Sequence, residues 1–394
     1  MYRHLFKLIW NKRKQNFLLM LEMLVSFLVI FAVFTLLVYY YQNYRKPMGM
    51  EYENVWVINY NGDVGLRDND SINTFYATLT GNIKSMPEVK EVSFSSSNIP
   101  FAQVTIQDGF DYNNMHIDGV NSYTIDDHYK EVLNLKMVEG RWFNKTDDVK
   151  RYQPVIINRS LKEVMFGSEP AVGKIYGNGA DKNKNEVIGV VEDSKFKGDY
   201  TKVGYARFRR TDSTSFRWLD RMLIKVTPGA DAAFEGRLYK LMAGQMKNLN
   251  IEIEHLTNKR KNINYFALVP MIVLSIVSCF LIINVALGLF GVLWYNISRR
   301  RGEIGLRRAI GATGRSVSWQ LVMEAMILAT FSLIIGTFFA IQFPLLNVFD
   351  LSTGIYLTAL GLAILFIYLL VLICAFYPGK QAAAIYPAVA LHEE

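Results

Sequence analysis

The sequence predicts an α+β membrane protein in which four transmembrane helices carry a large extracytoplasmic α/β domain between helices 1 and 2. Three observations predict it. The apolar residues, part of a 51% hydrophobic composition, gather into four blocks. A block of mixed periodicity separates the first apolar run from the second. Six arginines (299, 300, 301, 307, 308 and 315) stand between the second and third runs against one acid, Glu303. Such an excess belongs on the cytoplasmic side and so orients the rest of the chain.

Residues 1–16 carry Arg3, Lys7, Lys12, Arg13 and Lys14 and no acid. Leu5, Leu8 and Ile9 add an apolar side, which suits a cytoplasmic amphipathic helix on the bilayer surface. The first span, 17–41, has Glu22 as its only charge. At ~1.5 Å per residue it reaches about 37 Å, enough to cross. Tyr39, Tyr40, Tyr41 and Tyr44 form an interfacial belt, and the length argues for a retained anchor rather than a signal peptide. The second span, 266–297, is uncharged and longer than a ~30 Å core demands, so it is expected to continue outward as a stalk. Spans 320–346 and 354–377 follow, joined by a loop without Lys or Arg. A cytoplasmic tail occupies 378–394. Cys279 and Cys374 fall inside spans and are read as small apolar residues without a disulfide.

The exported block, 42–264, is long enough for its own core. Residues 55–60 read as a strand. A helix capped by Asp70 or Ser71 follows, with Ile72, Phe75, Tyr76, Leu79, Ile83 and Met86 on one face, and 89–95 is a second strand. A similar unit closes the block: strand 222–226, a helix through Phe234, Leu238, Leu241 and Met242, and strand 249–255. Two strand-helix-strand units around an inserted middle suggest a split α/β sandwich. The middle is expected to hold short strands at 102–107, 115–120, 154–158 and 187–192.

The arginine loop, 298–319, is patterned as well as charged. Ile304, Leu306, Ile310 and Val317 mark an apolar side with Arg307 and Arg308 beside it, as in a short helix lying flat at the membrane. Gly302, Gly305, Gly311 and Gly314 are expected to end or loosen that helix. Glu324 lies about a turn inside the third span and is read as an anchor for a loop arginine ahead of any proton-transfer role.

From Arg301 to Glu324 the sequence resembles the MacB/FtsX/LolC-type (type VII) ABC permeases, without a fused ATPase domain. The resemblance rests on Arg-x-Glu-Ile-Gly-Leu-Arg-Arg-Ala-x-Gly-Ala, from Arg301 to Ala312, and on Glu324 at the start of the next span. In that family the segment is a coupling helix seated in a groove of an ATPase subunit. This implies an ATPase-coupling role for Arg301, Glu303, Ile304, Gly305, Leu306, Arg307, Arg308, Ala309, Gly311 and Ala312, supported by Glu324. Further pieces resemble the family in order: 86–92, 139–143, 166–174 and 187–193 outside, and 377–383 with 387–391 at the end. The resemblance implies a porter-like subdomain at 50–97 and 203–256 and an inserted, mostly β subdomain at 98–202. It also implies two ATPase subunits carrying ATP and Mg, a second permease copy or homologous permease, and a place in the cell inner membrane with both termini cytoplasmic. An external adaptor or substrate protein is a further partner it admits.

Other chemistry is not written in the chain. The nearest approach to a phosphate-binding loop, 167–174, has five residues between its glycines and Ile175 where a hydroxyl is needed, so it is read as a turn. The five histidines (4, 116, 128, 255 and 392) include no i, i+4 pair. Asp126, Asp127, Asp147 and Asp148 are read as solvated loop charges. The net charge of +8 lies mainly beside apolar spans, which points to membrane topology rather than nucleic acid. The reading is a non-catalytic permease subunit that transmits ATP-driven motion to its external domain for export of a peptide, antibiotic or lipoprotein. Its alternatives are an FtsX-like regulator of a cell-wall hydrolase and a membrane-anchored ligand sensor without transport.

Overall fold

The computed structural model describes residues 13–384 except 62–65, 67, 178–183, 212–218 and 248. Most of the amphipathic segment 1–16, and 387–391 near the C-terminus, lie outside the described residues. The chain divides into two units, one of residues 43–267 and one of 1–42 with 268–394.

The first unit is built on one eleven-stranded sheet in the order β11-β1-β10-β2-β4-β9-β6-β8-β5, with β3 paired to β4 and β7 to β8. In chain order β1 is Val55–Asn61, β2 Val89–Ser95, β3 Gln107–Tyr112, β4 Met115–Ile125, β5 Met137–Gly140 and β6 Gln153–Asn158. The remaining strands are β7 Ile175–Tyr176, β8 Asn185–Val191, β9 Ala206–Arg210, β10 Arg221–Val226 and β11 Asn250–His255.

Helix α1 spans Arg13–Tyr44 and belongs to the spans described below. Helix α2, Asn69–Lys84, joins β1 to β2, and Asp68 caps it by accepting from the Ser71 N–H at 2.7 Å. The cap therefore falls just before the Asp70 or Ser71 expected, because the residue three positions ahead of the first free N–H has the reach. Short α3 (Tyr129–Leu133) and α4 (Arg159–Phe166) lie in the middle region, and α5 (Ala232–Gln245) joins β10 to β11. Strands β11, β1, β10 and β2 are antiparallel neighbours. With α2 and α5 they form the split βαβ arrangement of a ferredoxin-like sandwich. Trp56, Ile58, Tyr60, Met222, Ile224 and Phe94 pack on one face against Ile72, Tyr76, Leu79, Phe234 and Leu238. Val55, Val57 and Leu223 enter a second core on the other face. Burial on both faces is why β1 opens with the consecutive apolar residues 55–58.

The middle extends the sheet. β9 pairs in parallel with β4 and antiparallel with β6, so 206–210 belong with the inserted strands and the porter-like half resumes only at β10. This corrects the 203–256 boundary. The expected strand at 102–107 begins only at Gln107, as β3, and 102–106 form a loop in which Asn98 bonds both the N–H and the carbonyl of Ile106. Of the acids read as solvated, Asp148 is exposed, while Asp126, Asp127 and Asp147 are at least partly buried and bound. Asp147 is buried against Arg141 and, within the 3-10 turn Lys145–Val149 capped by Asn144, accepts from the Asn144 N–H at 2.9 Å. Arg210 holds both Asp127 and Asp148. Asp126 accepts from Ser93 Oγ at 2.6 Å and from the Phe94 N–H at 2.9 Å.

Among the described residues four helices are long and apolar enough to cross a membrane. They are α1, α6 (Leu256–Arg299), α8 (Gly314–Leu345) and α9 (Thr353–Ala383); α7, Arg301–Ala309, lies between α6 and α8. Within the second unit Phe27 and Phe31 of α1, Val285 and Leu289 of α6, Ala329 and Leu333 of α8 and Ala359 and Ala363 of α9 share one core. Small residues set the close approaches: a Cβ on Gly336 would come within 2.4 Å of the Phe27 ring. The helix containing span 266–297 begins at Leu256, the outward continuation expected, while α9 runs through Pro378 into the segment read as tail.

Candidate coupling site

The arginine loop folds as an elbow of two helices. α7 runs through Gly302 and Gly305 without breaking, contrary to expectation, and Gly305 is buried. It stops at Gly311. There φ is +104°, the Gly311 N–H donates to the Arg308 carbonyl at 3.1 Å, and the Ala312 N–H donates to the Arg307 carbonyl at 3.0 Å. These two bonds make a Schellman stop, which the left-handed glycine permits. Thr313 restarts the chain as α8, its Oγ1 accepting from the Ser316 N–H at 3.3 Å.

One side of the elbow is braced. Ile304 is buried with Ile297, Val317, Leu321 and Ala382. Arg308 donates to the Ala383 carbonyl at 2.6 Å, and a Cβ on Gly314 would meet that same carbonyl oxygen at 2.9 Å. Glu324 accepts from Arg300 and from Gln320 at 3.3 Å each, and Gln320 in turn accepts from Arg307 at 3.1 Å. Glu324 thus holds a loop arginine from a buried position, and the chain of bonds links the end of α6 to α7 and α8. Glu303 pairs with Arg307 at 2.5 Å across one helical turn.

The other side is open. Leu306 is 52% and Ile310 79% exposed, with exposed Ala309 between them at helical spacing. The expected common apolar side of Ile304, Leu306, Ile310 and Val317 is therefore two sides. Ile304 and Leu306 are two positions apart, about 200° around a helix, and cannot share a face. Arg301 stands exposed at the start of α7. The structure thus gathers Arg301, Glu303, Ile304, Gly305, Leu306, Arg307, Arg308 and Ala309 on one short helix, Gly311 and Ala312 in its stop, and Glu324 beneath. Sequence reasoning missed Gln320, whose signal was its i, i+4 spacing to Glu324, and Ala383, which gave no local signal. Among the described residues no cluster of three His, Cys, Asp or Glu side chains is placed to hold a metal ion.

Four membrane-capable helices with an α/β unit between the first and the rest define a multi-pass membrane protein with an extracytoplasmic domain. The MacB-like periplasmic core domain matches residues 17–238, and the FtsX-like permease C-terminal domain matches residues 275–387. The chain belongs to the MacB/FtsX-type family of ABC transporter permeases. It is 23% identical over 291 residues to a macrolide export ATP-binding/permease protein MacB 1/2 of Paracoccus denitrificans, covering 72% of this chain and 42% of that protein. It is 22% identical over 432 residues to the uncharacterized ABC transporter permease YvrN of Bacillus subtilis, covering 99% of this chain and 98% of that one. It therefore spans less than half the length of that MacB relative and nearly all of YvrN. Among solved structures, the periplasmic region of MacB from Actinobacillus actinomycetemcomitans aligns with a TM-score of 0.38 at 16% identity, over 54% of this chain and 92% of that one.

Proposed function

We propose that this chain is the non-catalytic membrane subunit of an ABC exporter, placed in the cell inner membrane with both termini and the elbow in the cytoplasm. ATP and Mg are bound by two copies of a separate ATPase subunit. Their closure pushes the elbow, and α6 and α1 carry the motion to the external domain, which acts on a peptide, antibiotic or lipoprotein outside. A second copy of this chain, or a homologous permease, engages the second ATPase. A periplasmic adaptor or substrate protein meets the external domain.

One observation carries this reading: α7 is braced along one side and presents Leu306, Ala309 and Ile310 on the other. A rigid ridge of exposed aliphatics flanked by arginines suits insertion into a groove of a partner protein. The arginine excess supports a cytoplasmic position. Near-complete alignment with a relative named as an ABC transporter permease supports a separate ATPase.

The test is affinity purification of the tagged full-length chain from its own cells. An ABC ATPase is expected to copurify, and Leu306→Asp with Ile310→Asp is expected to lower its recovery at least tenfold. These exposed positions are better probes than Arg308, whose bond to Ala383 makes it part of the brace. Recovery of no ATPase, or labelling of a Gly311→Cys variant by an impermeant reagent from outside the cell, overturns the reading.

A further inference from the structure

The loop between β2 and β3 is pinned at several points. Asn98 is buried; its Nδ2 donates to the carbonyls of Ile106 and Ser122 at 2.8 and 2.6 Å, and its Oδ1 accepts from the Ile106 N–H at 2.7 Å. Phe101, also buried, donates its N–H to the Phe196 carbonyl at 2.7 Å and sits at φ +61°, a left-handed conformation that side chains of its size avoid. These anchors hold Val104 and Ile106 in solvent, 84% and 58% exposed. Single exposed aliphatics are ordinary. Two of them carried by a loop anchored at Asn98 and strained at Phe101, at the rim of a cleft, suggest a contact surface.

The cleft measures about 480 Å³, within the range of small-ligand sites. Its other wall is formed by Asn59 of β1, Arg221 of β10, Glu254 of β11 and the first turns of α6. Eight of its fourteen lining residues are polar, which argues against an acyl-chain trough. Asn59 is nine-tenths buried; its Nδ2 donates to Glu254 Oε2 at 2.6 Å, while its Oδ1 has no protein partner. A buried acceptor without a donor is costly, and Asn59 lines the cleft, so a turn of its amide would bring Oδ1 to an incoming N–H. A peptide supplies the N–H groups, carbonyls and aliphatic side chains that such a mixed polar and apolar wall can contact.

We propose that this cleft binds a short peptide, its backbone against Asn59 and Asn262 and an aliphatic side chain against Val104, Ile106 and Ile263. Lys259, Asn262 and Ile263 are residues of α6, so occupancy is in direct contact with a helix that continues into a span. As a statement about cargo this rests on the export reading above. As a statement about binding it needs only the unit of residues 43–267, and its test contains no ATPase.

The test places photoreactive p-benzoyl-phenylalanine at Val104 or at Val149, which is equally exposed but outside the cleft. The detergent-solubilised full-length chain is irradiated with a pool of biotinylated tetrapeptides randomised at every position. Labelling at 104 is expected to exceed that at 149 at least fivefold, with Leu, Ile and Val enriched in the adducts. Ile106→Asp, a change at an exposed side chain, is expected to reduce it at least fivefold with thermal stability unchanged. Equal labelling at the two positions, or labelling indifferent to Ile106→Asp, overturns the proposal. Labelling displaced by phosphatidylcholine vesicles but not by excess unlabelled peptide identifies a lipid site and overturns it as well.

Discussion

Asp199 grips Arg260 with both carboxylate oxygens, at 3.1 Å to Nε and 2.7 Å to Nη2, and also accepts from Asn264 Nδ2 at 2.8 Å. Arg260 and Asn264 are one turn apart on α6, and Asp199 belongs to the loop after β8. The same loop reaches the end of α1, where Asn43 donates to the Tyr200 carbonyl at 3.2 Å and Tyr44 stacks on Tyr200. Lys195 adds a bond to the Tyr44 carbonyl at 3.2 Å. One short loop thus fastens two helix ends that are far apart in sequence.

Removing the acid from this knot is expected to loosen α6 first. Asp199 has a side chain only 6% exposed, while that of Arg260 is 29% exposed. Breaking such a pair leaves a partly buried guanidinium uncompensated, a loss of about 3 kcal/mol. Asp199→Ala should therefore speed hydrogen exchange in residues 256–267 more than in β6 or β8. Uniform exchange throughout the unit, or none gained, contradicts this.

Gly311 is held by its backbone alone. Nothing lies within 4 Å of a Cβ built there, yet its φ is +104°. Gly311→Ala should cost roughly 1–2 kcal/mol through conformation without any clash. The effect should appear as faster proteolysis within 309–314 and leave the extracytoplasmic unit's unfolding unchanged.

In the spans the opposite case holds. A methyl on Gly336 meets the Phe27 ring, whereas Gly361 faces open space. Gly336→Ala should destabilise the helices by about 1–3 kcal/mol through overpacking, and Gly361→Ala should be near neutral. Thermal unfolding of the two variants in the same detergent distinguishes them; equal midpoints would show that α1 does not dock there.

Burial pushes the Asp126 carboxyl from its ordinary 3.8 up to about 6. The folded state then binds that proton more tightly than the unfolded chain. Its stabilising contribution is complete below about pH 4 and is lost as pH rises through 6. With solvent access allowed for, the amount is on the order of 2 kcal/mol. Melting of wild type and Asp126→Asn between pH 4 and pH 7 should give a difference that changes in this window and is flat above it.

Much of the fold was legible because local chemistry decided it. The 89–95 strand, the apolar face of α2 and the helix through Phe234 follow from periodicities that burial then rewards. The strand expected at 102–107 starts only at Gln107 because the Asn98 side chain bonds the backbone of Ile106 and holds 102–106 as a loop. The acids 126 and 127 depart from a solvated reading because Ser93 reaches Asp126, and Arg210 reaches Asp127, only through the sheet, whereas Arg141 lies near Asp147 in sequence.

By itself the sequence determined the four spans, the extracytoplasmic α/β unit and the patterned elbow, since hydropathy, charge bias and helix stops act through neighbours along the chain. Tertiary structure alone decided that β9 joins the inserted strands and that Ile304 and Leu306 part company around α7. It also set Asp199 on Arg260. Each of these depends on which surfaces meet in space, and packing chooses among partners that no local pattern can rank.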